Sequence, residues 1–271
     1  MNQKMGSPQG DPESVSTVAT RLVLLVEYNG RNYCGFQLQA GQPTVQGELE
    51  TALKKLTGDT IRIATASRTD SGVHARMQVV SFKTKSKLNP ATFISGLNYY
   101  LPDDIAVIKA YRTDINFDVR RRAVSREYEY YILNRPTRSP LWHGRSYYVP
   151  GQMDIEEMNK ACRYLIGQHD LASFASNLGV ELENTVRRIH RAEVSRDGDL
   201  VVFNIQANAF LPHQVRNTVG ALIRVGLGRM TPDEFYSIMD ARKMGLAGPA
   251  APACGLYLTQ VNYARPIEEE L

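Results

Sequence analysis

The chain has 271 residues, 43% of them hydrophobic and 22% charged. That is enough apolar sequence to build one large domain or two modest ones without a disulfide or metal staple, and it excludes wholesale disorder. A net charge of +4 permits a polyanionic partner without demanding one. Cys34, Cys162 and Cys254 stand far apart with no Cys-x-x-Cys pair, which fits a reduced, cytoplasmic compartment and argues against a cysteine-built zinc site.

Residues 1–20 hold Gly, Pro, Ser, Gln and acids, with no apolar segment after a basic start, and read as a flexible tail rather than a secretory signal. No stretch approaches the roughly 20 apolar residues of a membrane span. The apolar run 22–28 predicts a buried strand. Over 44–58, Val45, Leu49, Leu53 and Leu56 fall on one helical face, with Thr44 able to cap the start and Gly58 to end it. Strands are expected at 61–65 and 77–82 around a polar loop, 66–76. A helix opened by Asn89 and Pro90 must stop before Pro102, and a strand follows at 105–111.

The same order then recurs. A Tyr-rich strand is expected at 127–133, and Asp154 with Glu157 spells a capping box for a helix burying Ile155, Met158, Cys162 and Leu165. Strands at 186–195 and 200–207 flank the hairpin signal Asp197-Gly198. Helices are expected at 211–226 and from Thr231-Pro232, followed by a loop at 248–253 and a closing strand at 255–263. Each half reads strand-helix-strand-strand-helix-strand, which predicts an α+β protein of two ferredoxin-like halves with mainly antiparallel sheets and a cleft between them. The halves would span 21–118 and 119–265, joined near 116–126, with 266–271 as an acidic tail.

The densest polar segment is Ser67-Arg68-Thr69-Asp70-Ser71-Gly72-Val73-His74-Ala75, between two apolar strands. A loop on a rigid sheet is a usual seat for reactive groups. Asp70 is a candidate nucleophile or general base, and Arg68 and Arg76 would favour its ionised form if their heads came close. Asp and Gly are also ordinary turn residues, and a lone Asp and His make a poor metal site, so spacing alone leaves these uses open. A second cluster runs Arg120-Arg121-Arg122, then Arg126, then Tyr128, Tyr130 and Tyr131, pairing phosphate-binding charge with flat rings on which an unpaired base can stack. A third, 208–217, joins a strand end to a helix start, where Arg216 has the reach to pair with Asp70 across the cleft. Arg187, Arg188 and Arg191 would extend a basic surface.

Together these segments resemble the bacterial tRNA pseudouridine synthase A family. The resemblance runs from Val23 to about Val261 and rests on Arg68-Thr69-Asp70-Ser71-Gly72-Val73-His74-Ala75, on 33–37, 44–46, Asn98 with Leu101-Pro102, 117–120, 126–130, 169–174, 208–220 and 255–258. It implies the pseudouridine synthase fold and isomerisation of uridine to pseudouridine in the anticodon stem-loop of tRNA, at tRNA positions 38 to 40. It implies a homodimer and no cofactor or metal. On this resemblance Asp70 is the nucleophile, Tyr128 packs on the uracil and serves in proton removal, and Arg216 keeps Asp70 ionised and aimed. Arg68 helps hold the nucleotide out of its stack, and Arg120, Arg126 and His74 join the substrate-binding set. Attack at C6 of the base, attack at C1′ of the sugar and a glycal route stay open.

The chain departs from the family's pattern at Leu38, where a basic residue is common, at Ser67, where glycine is common, and at Gln214, where methionine is frequent. Leu38 removes one expected RNA contact, Ser67 alters the loop backbone, and Gln214 is a packing change. Two rival readings fit parts of the same sequence: a non-catalytic RNA-binding or folding factor on the same scaffold, and a metal-dependent phosphodiesterase built on Asp70 and His74.

Overall fold

A computed structural model describes residues 19–176 and 183–270. Their strands are β1 (Thr20–Tyr28), β2 (Ala64–Thr65), β3 (His74–Thr84), β4 (Ile105–Thr113), β5 (Ser125–Leu133), β6 (Tyr147–Tyr148), β7 (Gly167–Asp170), β8 (Val186–Asp197), β9 (Leu200–Ala207) and β10 (Leu256–Asn262). All belong to one sheet ordered β4-β1-β3-β10-β5-β9-β8-β7, with β2 on β3 and β6 on β5. The α+β class and the mainly antiparallel pairing are as the sequence predicts. The joint is β10, which runs parallel to β3 through Tyr257 and Leu258 and antiparallel to β5. In β4-β1-β3-β2 and in β10-β5-β9-β8 alike, fourth strand pairs with first, first with third, and third with second.

The helices are α1 (Val45–Thr57), α2 (Pro90–Tyr100), α3 (Ile155–Leu165), α4 (Gln214–Gly226), α5 (Pro232–Asp240) and α6 (Ile267–Glu270). Thr44 caps α1 through the Gly47 N–H, a bond worth about 1 kcal/mol, and Val45, Leu49 and Leu53 are its buried face. Asn89 caps α2 the same way. Thr231 and Glu234 make a complete capping box at α5. At α3 the expected box is half made: Asp154 accepts the Glu157 N–H at 3.0 Å, while the Glu157 carboxylate pairs with Lys160 instead.

Several boundaries differ from expectation for local reasons. Ile61 and Ile63 are buried as expected but only 64–65 join the sheet, because the Ile63 N–H goes to the Glu50 carboxylate at 3.1 Å. The hairpin residues are Gly198 and Asp199, since Asp197 still pairs with Leu200. α4 starts at Gln214, three residues late, behind Pro212 and a left-handed His213. Gln214 is more than packing: its side-chain oxygen accepts the Leu211 N–H at 2.9 Å, and His213 makes no side-chain cap. The acidic end forms α6, where Glu268 meets Lys109 at 3.1 Å and the Tyr111 hydroxyl at 2.9 Å on β4. Of the expected tail 1–20, residues 1–18 lie outside the described residues and Thr20 opens β1.

One irregularity matters for the site. The β1–β3 register shifts between Val26, opposite Gln78, and Tyr28, opposite Ala75. The extra residue puts Ala75 and Gln78 on one face and sends His74 and Arg76 to the other. Among the described residues no helix is long and apolar enough to cross a membrane.

Candidate active site

The loop 66–73 between β2 and β3 is fixed along most of its length. Arg126 donates to Ala66 O at 2.9 Å, and the buried Gln78 donates to Ser67 O at 2.7 Å. The Thr69 hydroxyl meets the Tyr28 hydroxyl at 2.7 Å, and Thr69 O accepts the Phe36 N–H at 3.1 Å. The Val73 N–H closes a turn onto Asp70 O at 3.2 Å, and Gly72 inside it has φ +77°, a conformation few side chains tolerate. Gly35 (φ +96°) lies so close that a Cβ on it would sit 2.8 Å from Thr69 O. The backbone carrying Asp70 is therefore preorganised by strands, by a buried amide and by a buried cation.

Asp70 points at the start of α4. Its Oδ2 lies 3.4 Å from Arg216 Nη1 and 3.5 Å from His213 Nε2. Arg216 is aimed by the loop 248–255, which packs beside it: Arg216 Nε donates to Ala251 O at 2.8 Å, and Ala251 N–H returns to Arg216 O at 2.9 Å. The Tyr130 hydroxyl pins the same loop through Pro252 O at 2.7 Å.

Tyr128 rises from β5 on the same side. Its ring meets Phe210 edge-on at 5.0 Å and its hydroxyl contacts Ser67 Oγ at 3.0 Å. Burial, with a smaller push from the Asp70 charge, moves its phenol up to about 12, so it is a neutral hydroxyl at physiological pH. The serine that departs from the family's usual glycine thus touches this hydroxyl directly. Asp70, Tyr128 and Arg216 come together from a loop, a strand and a helix start.

The other expected site residues are placed differently. Arg126 is buried, and among the described residues no acid pairs with it. Its guanidinium serves Ala66 O, Arg120 O, Ala123 O and Asn208 O, so its donors hold three chain segments around the site. Arg120 and Arg68 are exposed. His74 is buried on the far face: Nδ1 accepts the Gly30 N–H at 3.2 Å, Nε2 faces Cys254 O at 3.2 Å, and its ring stacks on Tyr257 at 4.5 Å. Burial lowers its pKa and keeps it neutral. Both ring nitrogens are occupied, which leaves the phosphodiesterase pairing with Asp70 no free ligand atom. Arg76, expected near Asp70, is turned away by the β3 irregularity and bonds Glu129 at 3.0 Å and the Tyr131 hydroxyl at 2.6 Å. Leu38 is 40% exposed. Of the hairpin arginines, Arg191 pairs with Glu193 and Arg187 with nearby carbonyls, so their charge is partly spent.

His213 lies within the 208–217 segment, but the sequence alone gives it no task. The available signal was its place three residues before Arg216, which puts the two on one side of a helix start.

A family model described as tRNA pseudouridine synthase matches residues 24–120 and 161–264. The tRNA pseudouridine synthase A of Methylacidiphilum infernorum is 42% identical over 240 residues, covering 89% of this chain and 94% of that protein. That of Francisella tularensis subsp. novicida is 39% identical over 241 residues, covering 89% and 93%. The Nitrosomonas eutropha protein of the same name is 40% identical over 243 residues, covering 90% and 87%. The chain belongs to the tRNA pseudouridine synthase family, whose members are isomerases.

Proposed function

We propose that this protein isomerises uridine to pseudouridine in the anticodon stem-loop of tRNA, at tRNA positions 38 to 40, as a cytoplasmic homodimer, with Asp70 as nucleophile. Family membership supports the reaction and the substrate class. The observation that carries the residue roles is that Asp70, Arg216 and Tyr128 come together from three separate elements.

A base cannot be detached and turned while stacked, so the target uridine leaves the helix, at a cost of a few kcal/mol. Stacking on an aromatic wall offsets about 1–3 kcal/mol of that cost, and Tyr128 with Phe210 supplies such a wall. Arg216 lies against Asp70 and orients it, and covalent capture by the Asp70 side chain divides one difficult exchange at the glycosidic bond into two easier ones. The Tyr128 hydroxyl, neutral through burial, is suited to shuttle a proton during the second. Exposed Arg68 and Arg120 are suited to phosphate and base contacts, and Arg126 supports the site from within. The two halves, 21–118 and 119–265, each contribute one side of the cleft.

The test is incubation of purified wild-type and Asp70→Asn protein with tRNA transcript, followed by nucleoside chromatography and site mapping. Wild type converts uridine in the 3′ side of the anticodon stem-loop, and Asp70→Asn binds tRNA but forms no pseudouridine. Binding without conversion by the wild type would instead identify a non-catalytic RNA-binding factor.

A further inference from the structure

We infer that His213 is a positioning residue for the reaction: it holds Asp70 through Oδ2 and leaves Oδ1 as the oxygen presented to substrate. The inference rests on the reading of Asp70 as the nucleophile.

Its first support is backbone geometry. His213 is one of two non-glycine residues with positive φ among the described residues, at +56°. Such a conformation is sparsely populated, and where surrounding structure enforces it the strain tends to serve a site. Here it directs the imidazole to within 3.5 Å of Asp70 Oδ2, the oxygen that also faces Arg216 Nη1 at 3.4 Å. Both groups converge on one oxygen, and among the described residues no bond engages Oδ1.

The second support is a hydrogen-bond chain behind the ring. The buried Asn217 amide donates to Phe174 O at 2.7 Å and to Ser176 Oγ at 3.2 Å. Ser176 Oγ in turn lies 3.0 Å from His213 Nδ1. A buried amide and a hydroxyl thus anchor the ring from behind while its Nε2 faces Asp70. The charged or titratable groups facing that carboxylate are Arg216 and His213 at the start of α4 and Tyr128 on β5.

The experiment compares His213→Asn and His213→Gln in single-turnover assays on tRNA. Asn tolerates the left-handed backbone but ends short of Asp70, whereas Gln extends an amide N–H to about the place of Nε2. His213→Asn is expected to slow conversion about 10- to 100-fold, on the scale of a lost preorganised donor, with tRNA affinity within about twofold. His213→Gln is expected to recover most of the rate. A wild-type rate in His213→Asn would overturn the inference. So would equal impairment of both variants, which is the mark of a helix-start role alone. An active Asp70→Asn protein would overturn the nucleophile reading itself and is scored separately.

Discussion

Arg216 meets Asp70 across 146 positions of sequence, Nη1 to Oδ2 at 3.4 Å, while its Nε is spent on Ala251 O at 2.8 Å. The guanidinium therefore works as a bracket: one edge is anchored to a loop carbonyl, the other faces the carboxylate. An ammonium has the charge but not the fixed fork.

Arg216→Ala is expected to lower single-turnover pseudouridine formation by about 100-fold or more, the range for a preorganised electrostatic partner. Arg216→Lys recovers only part, because one nitrogen cannot hold both Ala251 O and Asp70. tRNA affinity measured by filter binding should change little for either. A lysine variant at wild-type rate would refute the bracket.

Arg126→Met tests a different kind of arginine. Four carbonyls lose their donor, and the expected loss of stability is about 2–4 kcal/mol, read from urea unfolding. Activity falls in step with the loosened 66–73 loop. An unchanged unfolding midpoint with weakened tRNA binding would instead make Arg126 a substrate contact.

Gly35 and Gly41 both have positive φ, but only Gly35 faces the Asp70 loop. Gly35→Ala is expected to destabilise the fold by about 1–3 kcal/mol and to reduce turnover at least about tenfold, through displacement of Thr69 and Asp70. Gly41→Ala, with nothing within 4 Å of the added carbon, carries only the backbone cost and stays active. Thermal melts and turnover of the pair separate steric from conformational effects.

Tyr128 gives a pH dependence at the alkaline end. Its folded pKa of about 12 exceeds the ordinary value of 10.0, so the folded state keeps a proton that the unfolded state releases. The associated stability is complete below pH 10 and is lost as pH climbs toward 12, at up to about 1.4 kcal/mol per pH unit. Tyr128→Phe removes the Ser67 contact and costs about 1 kcal/mol at neutral pH, yet its stability declines less steeply above pH 10. Equal slopes in denaturant titrations at several alkaline pH values would show that the phenol is not held neutral by burial.

Much of this was legible in sequence because it is local. The spacing of Val45, Leu49 and Leu53 specifies a helix face, Thr231 and Glu234 specify a cap, and the polar segment around Asp70 stands out between apolar strands. The inward placement of Arg126 is also legible: along β5 it alternates in step with Tyr128 and Tyr130, the buried face. Other features depend on contacts distant in sequence. The extra residue in β3 that turns Arg76 toward Glu129 is set by pairing with β1, and the left-handed His213 by its surroundings at Ser176 and Asp70. No residue pattern marks β10 as the strand lying parallel to β3, because Tyr257 and His74 are paired only by the finished topology.

That placement of β10 has a consequence for biogenesis. While the nascent chain is still on the ribosome, β3 and β5 each present an open border until β10, which follows both in sequence, has emerged. Assembly of the site is thus deferred until that strand has been made, and a premature stop before codon 256 leaves two unzipped half-sheets prone to mispair with other chains.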